Sequence, residues 1–354
     1  MPSTINTQVI FRKVPTTYPV KGEHLEVARM PFSPDTIELA PGDFILKNLV
    51  LSVDPYMRVR MRIDTNPVKA KSVSDPVPIN GVMTGGGIGL VIRSNNERFS
   101  VGDYAEGMIG WEEYTVVRSN KADSFQLRND AKNSGLPLTY YVGVLGMPGI
   151  TAYIGLLKIG DAKPGETLFI TSAAGAVGQL VGQIGKLKGM RVVGSAGDDA
   201  KVRFVLEECG YDAAFNYKTR DTSEALTEMC PGGIDVYFEN VGGKTLDIVL
   251  EHAKNFARIA VCGMVSQYNR EKPEGVYNLE NVLWKRLRIQ GFIFSDHIPE
   301  YGAQFQKDVM TWLKEGKIKY KEDVVVGIEN APDAFIGMLK GKNFGKQVVK
   351  IADP

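Results

Sequence analysis

One stretch of the chain, TSAAGAVGQLVGQIGKLKG at residues 171–189, constrains the fold more than any other. It starts at the end of an apolar, strand-like run, passes through small residues, and continues with apolar residues at helical spacing. In the dinucleotide fingerprint G-x-G-x-x-G, the three glycine positions align with Ala173, Gly175 and Gly178, so alanine replaces the first glycine. The stretch therefore predicts a strand, a tight turn and a helix. The apolar residues on one face of that helix are Val177, Leu180, Val181, Ile184 and Leu187.

A turn of this kind is suited to a nucleotide phosphate. Small residues let the backbone come within hydrogen-bonding distance of a pyrophosphate, and the helix start offers unpaired N–H groups and a positive dipole end. Gly182, one helical turn after Gly178, is expected to let the helix lie close to the sheet. The alternative is a helix rich in glycine and alanine that packs closely and binds no ligand. The residues expected to contact the pyrophosphate are Ala174, Gly175, Ala176, Val177 and Gly178.

The pattern of apolar segments changes near Gly143. Up to about Lys121 these segments are short, rich in Val, Ile and Leu, and interrupted by Gly and Pro, which is typical of a β-rich domain. The glycines of TGGGIGLVIRS lead into β-branched residues without an amphipathic helix, and they predict a bulged or tightly turned strand. After Gly143, strand-like and helix-like runs alternate, which predicts an α/β fold with a doubly wound parallel sheet. The tail after about Ile298 reads as one more helix and ends on a strand that could rejoin the first domain.

The second predicted strand bears on the choice of nucleotide. A unit that binds NAD usually places an acid about 20 residues after the turn, where it binds both ribose hydroxyls. Here VVGSAG ends that strand with Gly197, and the acidic residues Asp198 and Asp199 come slightly later. The missing acid leaves room for a 2′-phosphate, which Lys201 and Tyr217 are expected to bind, so the sequence favours NADPH over NADH. The alternative for the lysine is an ordinary solvated side chain on a helix.

Charge and cysteine usage argue against several classes of protein. The 354 residues carry a formal net charge of +1, which gives no basis for a nucleic-acid partner. The three cysteines and three histidines are scattered, a pattern that argues against a disulfide framework or a Cys/His zinc site. The N-terminal residues do not have the pattern of a secretory signal, and no apolar run approaches the roughly 20 residues that span a bilayer. We therefore expect a cytoplasmic protein without a metal or a membrane partner.

Eight segments in order along nearly the whole chain carry a family resemblance. The sequence resembles the zinc-independent medium-chain dehydrogenases/reductases, in the branch of NADPH-dependent 2-alkenal, prostaglandin and leukotriene B4 reductases. The segments are LSVDPYMRVRM, GWEEYTVV, GMPGITAYIGL, SAAGAVGQLVGQIGKLKG, FNYKT, FENVGG, CGMVSQYN and GKNFGKQVV.

The resemblance implies an architecture and an activity. A GroES-like β-barrel catalytic domain would comprise residues 1–132 and 304–354, beside a Rossmann NADP-binding domain at 133–303, with the active site in the cleft between them. It also implies a homodimer joined near LRIQGFIF, and zinc-free reduction of the double bond of α,β-unsaturated aldehydes and ketones by NADPH. Hydride would add to the β-carbon.

Two tyrosines are the candidate catalytic residues. Negative charge develops on the carbonyl oxygen after hydride addition, so the site needs a hydrogen-bond donor there and a proton source for the α-carbon. A phenol is neutral at working pH and donates a directional O–H. Tyr268 follows a predicted strand end in GMVSQYN and is expected to be the principal donor, and Tyr56 in DPYMR is the second candidate. For each, the alternative is an aromatic packing residue whose hydroxyl reaches only water.

The resemblance also assigns further cofactor contacts. Met147 and Thr151 are expected near the nicotinamide, Asn240 at a strand end, and Asn343 with Lys346 in the tail. For the two asparagines, the alternative is a capping role in turns before glycine-rich stretches. The other expected cofactor-binding residues are Gly197, Cys262, Gly263, Tyr268, Phe292 and Phe294.

One segment departs from the family pattern. Plant members of this branch tend to carry another pocket tyrosine in the segment that resembles PINGVMTGGGIG, which has no tyrosine here. The segment offers Asn80, Met83 and Thr84 instead, so the range of substrates is open while the reaction type is not.

Three other functions are compatible with parts of the sequence. A quinone reductase would act on another conjugated carbonyl, and an alcohol dehydrogenase would need zinc ligands that the early segments lack. A nucleotide-binding protein without turnover, such as an RNA-associated one, is disfavoured by the near-neutral charge.

Overall fold

A parallel sheet and an antiparallel sheet carry the fold of residues 4–62 and 75–354, which are the residues that the computed structural model describes. The strands are β1 (Thr4–Phe11), β2 (Leu25–Phe32), β3 (Phe44–Ser52), β4 (Thr84–Ser94), β5 (Tyr104–Gly110), β6 (Tyr114–Val117), β7 (Gln126–Leu127), β8 (Thr167–Ile170), β9 (Arg191–Ala196), β10 (Ala213–Asn216), β11 (Ile234–Glu239), β12 (Ala253–Val261), β13 (Arg288–Gly291), β14 (Glu322–Val326) and β15 (Lys346–Lys350).

Ten α-helices connect or cover these strands in the described part of the chain. They are α1 (Tyr56–Arg60), α2 (Ser119–Ala122), α3 (Met147–Ile154), α4 (Gly178–Leu187), α5 (Asp199–Glu207), α6 (Thr222–Met229), α7 (Gly243–His252), α8 (Glu280–Trp284), α9 (Ile298–Lys314) and α10 (Ala331–Leu339). A π-helical turn at Gly155–Ile159 continues α3, and short 3₁₀ helices lie at Asn129–Asn133, Leu138–Val142, Val265–Gln267, Phe294–His297 and Ile328–Asn330.

The chain divides into two compact units. The described part of the first unit comprises residues 4–62, 75–142, 323–343 and 347–354, and the second unit comprises 143–322 and 344–346. The C-terminal strand β15 pairs antiparallel with β3 of the first unit. The tail therefore rejoins that unit, as the sequence suggested. The domain boundaries expected from the sequence, 1–132 with 304–354 and 133–303, remain a prediction.

The first unit is built on an antiparallel sheet in the strand order β14-β15-β3-β4-β5-β7, with β6 beside β3, and on the separate pair β1-β2. Aromatic side chains fill its core. Phe44 stacks on Phe99 at 4.6 Å between ring centroids, and Trp111 meets Phe335 of α10 edge-on at 5.6 Å. Burying such rings removes large apolar areas from water and stabilises the unit.

The glycine-rich segment TGGGIGLVIRS is strand β4, as the sequence predicted. Its pairing with β3 shifts register twice, which marks the expected bulges. A Cβ at Gly85 would lie 2.4 Å from Met57, and one at Gly87 would lie 2.7 Å from the Val50 carbonyl oxygen. These glycines therefore serve close packing and not phosphate binding. Met83, just before them, is fully buried in the core of the first unit.

A carboxyl group on β5 lies in an unusual environment in the first unit. Glu106 Oε2 is 3.3 Å from Nε of the buried Arg128, whose guanidinium stacks on the ring of Tyr141 at 4.8 Å. Burial raises the pKa of Glu106 to about 7, Arg128 opposes that change, and Asp130 adds to it. The proton on this carboxyl therefore couples to folding.

We expect the free energy of unfolding to fall as pH rises through this pKa. Below about pH 4.5 the carboxyl is protonated in the folded and the unfolded chain, whereas between pH 4.5 and about 7 only the folded protein holds the proton. The loss is about 1–2 kcal/mol, less than the full shift implies because 27% of the side chain is exposed. Urea unfolding of Glu106→Gln at pH 5 and pH 8 should lack this difference, and the exposed Glu97→Gln should keep it. An equal difference in both variants would contradict the assignment.

The second unit is built on a parallel sheet in the strand order β10-β9-β8-β11-β12-β13. This is the doubly wound arrangement that the alternating sequence pattern predicted. The order reverses between β8 and β11, and ligands of such sheets bind at the carboxyl ends of the strands beside that reversal. Stacked rings of Phe169, Phe215 and Tyr237 form part of the core beneath it.

Helix α4 differs in two ways from the one-faced helix that the sequence predicted. Residues from Gly178 to Gly185 are all buried, whereas Leu187, which the pattern placed on the buried face, is 41% exposed. Gly182 faces the ring of Tyr211, since a Cβ there would lie 2.0 Å from that ring, and the same ring packs on Gly194 of β9. A tyrosine therefore fills the space between helix and sheet at this level.

In residues 4–62 and 75–354, no helix is both long enough and apolar enough to cross a membrane.

Candidate functional site

The turn between β8 and α4 has the geometry expected of a phosphate-binding turn. Ser172 has a positive φ of 53°, and Gly175 N donates to the Ser172 carbonyl at 2.9 Å. A Cβ at Gly178 would lie 2.3 Å from that same carbonyl oxygen, so only glycine allows the helix to start this close. No described side chain caps the first turn of α4. Gln179 N and Leu180 N already donate to the carbonyls of Gly175 and Val177, so the amides that suit an anionic ligand are those at 176–178.

The end of β9 lies beside Tyr217. Gly197 follows the strand, and a Cβ there would lie 2.8 Å from the Tyr217 hydroxyl oxygen. The tyrosine is 52% exposed, and Lys201 lies in the first half of α5 with its side chain partly exposed. Of the three expected residues, Gly197 and Tyr217 thus follow the neighbouring strands β9 and β10, and Lys201 lies on the helix after β9. The end of β9 has a neighbouring hydroxyl and no acid.

Asp198 and Asp199 are both engaged in local structure. Asp198 caps α5, accepting from Ala200 N at 2.8 Å. Asp199 accepts from the Asn216 side chain at 2.7 Å. Asp198 therefore stabilises the start of α5 and Asp199 links α5 to β10, which agrees with their position after the strand end and not on it.

The ends of β8 and β11 are joined through Thr171. The Asn240 backbone N–H donates to Thr171 Oγ1 at 3.1 Å, and the Asn240 side-chain N–H donates to the Thr171 backbone carbonyl at 2.8 Å. One N–H of the Asn240 side chain is therefore used within the protein. The sequence had suggested that this side chain donates to a cofactor. The same bond fixes the orientation of the Asn240 side-chain carbonyl. The joined strand ends are at the reversal of strand order, where a cofactor is expected.

Glu239 organises this corner and was not among the residues singled out from the sequence. Its Oε1 accepts from Val241 N at 2.6 Å and from Gly242 N at 2.9 Å, and its backbone carbonyl accepts from Cys262 N and Gly263 N. Burial raises the pKa of its carboxyl, which those amide donors oppose. A glutamate before N-V-G-G at a predicted strand end was the available signal.

Tyr268 follows the end of β12, as the sequence predicted. It caps the 3₁₀ helix Val265–Gln267, and its hydroxyl oxygen accepts from Met264 N at 3.2 Å. A Cβ at Gly263 would lie 3.0 Å from that oxygen. A phenol oxygen that accepts from an amide is a stronger donor through its own O–H. Cys262, beside Gly263, has a thiol pKa raised to about 12, mainly by burial.

Helix α3 supplies a buried hydroxyl. Thr151 Oγ1 has no hydrogen-bond partner among the described residues, although the residue is only 7% exposed. Leaving a buried polar atom without a hydrogen bond costs free energy of folding, and such an atom is a candidate contact for a ligand. Met147, the first residue of α3, is partly buried. The assignment of this hydroxyl to the nicotinamide end of a cofactor stays a prediction.

The two expected phenylalanines follow the edge strand β13. Phe292 packs edge-on against Phe238 of β11 at 6.2 Å, and Gly155 lets it approach, since a Cβ there would lie 2.5 Å from the ring. Phe294 begins the 3₁₀ helix Phe294–His297 and is partly buried. The geometry gives Phe292 a packing role in the second unit.

Part of the tail belongs to the second unit and lies beside the turn between β8 and α4. Gly345 forms a parallel bridge with Gly175, and Phe344 meets Phe204 of α5 edge-on at 5.3 Å. Lys346, an expected cofactor residue, is fully buried. Asn343 belongs to the first unit and is partly buried. The turn, the tail segment and α5 thus form one surface.

Tyr56 lies on α1 of the first unit and is partly buried. Burial, and then Asp54, raise the pKa of Tyr56 above its usual value. The phenol is therefore neutral at physiological pH and able to donate.

The substitute residues of PINGVMTGGGIG have other contacts. Asn80 is exposed and accepts from Arg12, and Thr84 accepts from the buried Arg60 at 2.8 Å. Met83 is in the core. These contacts give each of the three residues a structural explanation.

In the described ranges, 4–62 and 75–354, no group of three or more His, Cys, Asp and Glu side chains is placed to hold a metal ion.

Comparison with known proteins gives matches along the whole chain. Residues 176–315 match a family model described as zinc-binding dehydrogenase, and residues 8–125 match one described as the N-terminal domain of oxidoreductase. The chain is 44% identical to the 2-alkenal reductase (NADP(+)-dependent) of Nicotiana tabacum, covering 98% of both proteins. It is 41% identical to prostaglandin reductase 1 of Bos taurus, over 90% of this chain and 93% of that protein. The crystal structure of CurA in complex with NADPH from Vibrio vulnificus superposes with a TM-score of 0.87 at 42% identity, covering 98% of this chain and 100% of that one.

Proposed function

Since the chain belongs to the zinc-independent medium-chain dehydrogenases/reductases, in the branch of the alkenal and prostaglandin reductases, we propose that it reduces the carbon–carbon double bond of α,β-unsaturated aldehydes and ketones with NADPH. The observation that carries the proposal is the Tyr268 hydroxyl, which accepts from Met264 N beside Gly263. This hydroxyl lies at a strand end of the unit that also contains the phosphate-binding turn. It is a neutral donor in the region where a cofactor is expected.

The proposed chemistry needs a donor and a proton. When bound, NADPH supplies the hydride that adds to the β-carbon of the substrate. Tyr268 donates to the carbonyl oxygen, where negative charge develops, and Tyr56 is the second donor. The α-carbon then takes a proton, for which the tyrosine hydroxyl is a route. The balance is one hydride and one proton added across the double bond.

The proposed cofactor site uses the observed turn and strand ends. The amides at 176–178, which lead into α4, hold the pyrophosphate, and Lys201 with Tyr217 hold the 2′-phosphate. Thr151 Oγ1, which lacks a partner among the described residues, binds the nicotinamide end together with Asn240. The orphaned hydroxyl supports this proposal because its burial without a partner is otherwise unfavourable.

An absorbance assay tests the function. NADPH consumption is followed with 2-hexenal, 1-octen-3-one, a naphthoquinone and the saturated aldehyde hexanal. We expect consumption with the two conjugated alkenyl carbonyls and none with hexanal, and the saturated carbonyl as the product. Turnover only with the naphthoquinone would favour a quinone reductase. Binding of NADPH without any consumption would overturn the enzyme assignment.

Thr151→Val should stabilise the cofactor-free protein and weaken its binding of NADPH. Removing a buried hydroxyl without a partner should raise the free energy of unfolding of the cofactor-free protein by about 1 kcal/mol. The same change should weaken NADPH binding about fivefold, measured by fluorescence titration, because the proposed ligand loses its partner.

Thr171→Val is the matched control in the same unit. Its hydroxyl already bonds Asn240 N at 3.1 Å, so this variant should lose about 1–2 kcal/mol of stability. If Thr151→Val is destabilised to the same extent, its hydroxyl has a partner in the folded protein and the assignment is wrong.

We further propose that the enzyme is a homodimer joined at the edge of the parallel sheet. Strand β13 is exposed along its length, and Trp284 and Leu283 beside it are 64% and 67% exposed. An open strand edge with large exposed apolar side chains favours pairing with a second copy. Light scattering should give twice the chain mass, and Ile289→Lys on β13 should give the monomer. A wild-type monomer at micromolar concentration would contradict the proposal.

We also propose a cytoplasmic location. Cys209, Cys230 and Cys262 form no disulfide, and burial raises the thiol pKa of Cys209 and of Cys230. Unpaired thiols are typical of reducing compartments. Cell fractionation of the tagged protein with cytoplasmic markers tests the location.

A further inference from the structure

Two glutamines of α4 are buried against a segment that lies far away in sequence. Gln179 and Gln183 are 0% and 4% exposed, although a glutamine side chain is polar. Gln179 donates to the Lys321 carbonyl at 3.1 Å and accepts from Lys321 N at 2.8 Å. Gln183 makes the same pair of bonds with Lys319, at 2.8 Å and 2.7 Å. The backbone at 319–321 is thus held by side chains in the way that a neighbouring strand would hold it.

Only one of these two glutamines connects directly to the tail segment. The Lys321 carbonyl, which Gln179 binds, also accepts from Lys346 N at 2.9 Å. Gly345 has φ +79°, and a Cβ there would lie 2.1 Å from the same carbonyl oxygen. The described bonds of Lys319 run to Gln183 alone. The position of the segment at 344–346 therefore depends on Gln179, because Gln179 holds the Lys321 backbone that this segment contacts.

The tail segment in turn borders the phosphate-binding turn. Gly345 pairs with Gly175, one of the residues that the fingerprint in the sequence assigns to the pyrophosphate. Lys346 brings a positive charge into this buried region, and a pyrophosphate carries negative charge. A shift of the segment would alter both the backbone approach and the position of that charge.

We propose that Gln179 is a positioning residue for the pyrophosphate of the cofactor, acting through Lys321 on the segment at 344–346. This inference rests on the proposed use of NADPH. It predicts that Gln179 affects binding of the pyrophosphate and leaves the hydride transfer itself unchanged. Gln183 bonds Lys319 in the same way and also donates to the Gln179 carbonyl at 2.8 Å, but it has no direct link to the tail segment and only a structural role.

The chain offers a matched pair of variants. Gln179→Met and Gln183→Met keep the side-chain length and remove two and three bonds to backbone groups, since Gln183 also donates to the Gln179 carbonyl at 2.8 Å. Both should lose stability in urea, Gln183→Met at least as much as Gln179→Met. Gln179→Met should raise Kd and KM for NADPH about tenfold, with kcat at saturating NADPH within twofold of wild type. Gln183→Met should raise them less than twofold. Equal effects of the two variants on NADPH would overturn the proposal.

Adenosine 2′-monophosphate separates positioning from general damage. It carries the 2′-phosphate and lacks the pyrophosphate, so its affinity should be the same in wild type and in Gln179→Met. An equal loss of affinity for both ligands would mean that the whole cofactor site is disturbed and the proposal is wrong. If the wild-type enzyme does not bind NADPH, the proposed function fails. If it binds NADPH and Gln179→Met binds equally well, only the positioning role fails.

Hydrogen exchange provides a test that needs no variant. NADPH should slow exchange of the Lys346 amide in the wild-type protein, because the ligand holds the segment that contains it. Adenosine 2′-monophosphate should not slow it. Equal protection by both ligands, or protection by neither, would overturn the proposal even if Gln179→Met does not fold.

Discussion

Replacing Tyr268 with phenylalanine is expected to lower kcat for enal reduction about 100-fold and to leave Kd for NADPH within about twofold of wild type. The hydroxyl accepts from Met264 N at 3.2 Å, which orients the phenol and strengthens its O–H as a donor. Phenylalanine keeps the ring and removes that donor, so charge on the substrate carbonyl oxygen loses stabilisation mainly in the transition state. The effect should therefore be on kcat. Some activity should remain, because the 2′-hydroxyl on the nicotinamide ribose of the cofactor is another donor.

Stopped-flow measurement of single turnovers separates this effect from product release. Tyr277→Phe is the matched control, since Tyr277 lies in the same unit and is 85% exposed. Its rate should equal that of wild type. Tyr56→Phe should have a smaller effect than Tyr268→Phe. An unchanged kcat in Tyr268→Phe would remove this residue from the catalytic role and leave Tyr56 as the remaining candidate.

Local patterns in the sequence were sufficient for most of the second unit. The strand, turn and helix around Gly175 were predicted because each depends on residues within about ten positions of one another. The alternation of runs after Gly143 also gave the parallel sheet that is observed. The prediction for β4 was correct for the same reason, since a glycine run without a following amphipathic pattern is visible locally.

Failures of prediction occurred where distant segments meet. Leu187 matched the helical pattern but is exposed, because it is the last residue of α4. The buried glutamines of α4 were not singled out from the sequence, since their partners at 319–321 lie about 140 positions away. Helix periodicity describes one apolar face, whereas α4 is buried by a further segment of chain.

The residues expected at the candidate site stay a prediction, and the structure adds connections between them that the sequence did not indicate. Gly197 and Tyr217 were expected near each other, and they are. Glu239 was missed because its role depends on a turn of backbone amides, which sequence spacing does not specify. Asn240 was expected at a ligand, but one of its donors binds the Thr171 carbonyl. Long-range hydrogen bonds thus determine which polar atoms remain for a cofactor.

Lys201→Ala is expected to raise Kd for NADPH about 10- to 100-fold and to leave Kd for NADH within about twofold. A charge-assisted hydrogen bond to a phosphate contributes about 1.5–3 kcal/mol, and NADH lacks the 2′-phosphate that would receive it. The end of β9 has glycine at 197 where an NAD-binding unit has an acid, so nothing at that position favours NADH. Isothermal titration with both cofactors at low and high salt measures the difference, which salt should reduce.

Lys218→Ala is the control that isolates the contact from net charge. Lys218 is exposed and adjacent to Tyr217, so its removal changes the local charge by the same amount. We expect less than a threefold change in Kd for NADPH, because an exposed charge is largely screened. Tyr217→Phe should weaken NADPH about fivefold, since it removes one neutral hydrogen bond. Equal losses for NADPH and NADH in Lys201→Ala would mean that the lysine supports the fold of α5 and does not bind the 2′-phosphate.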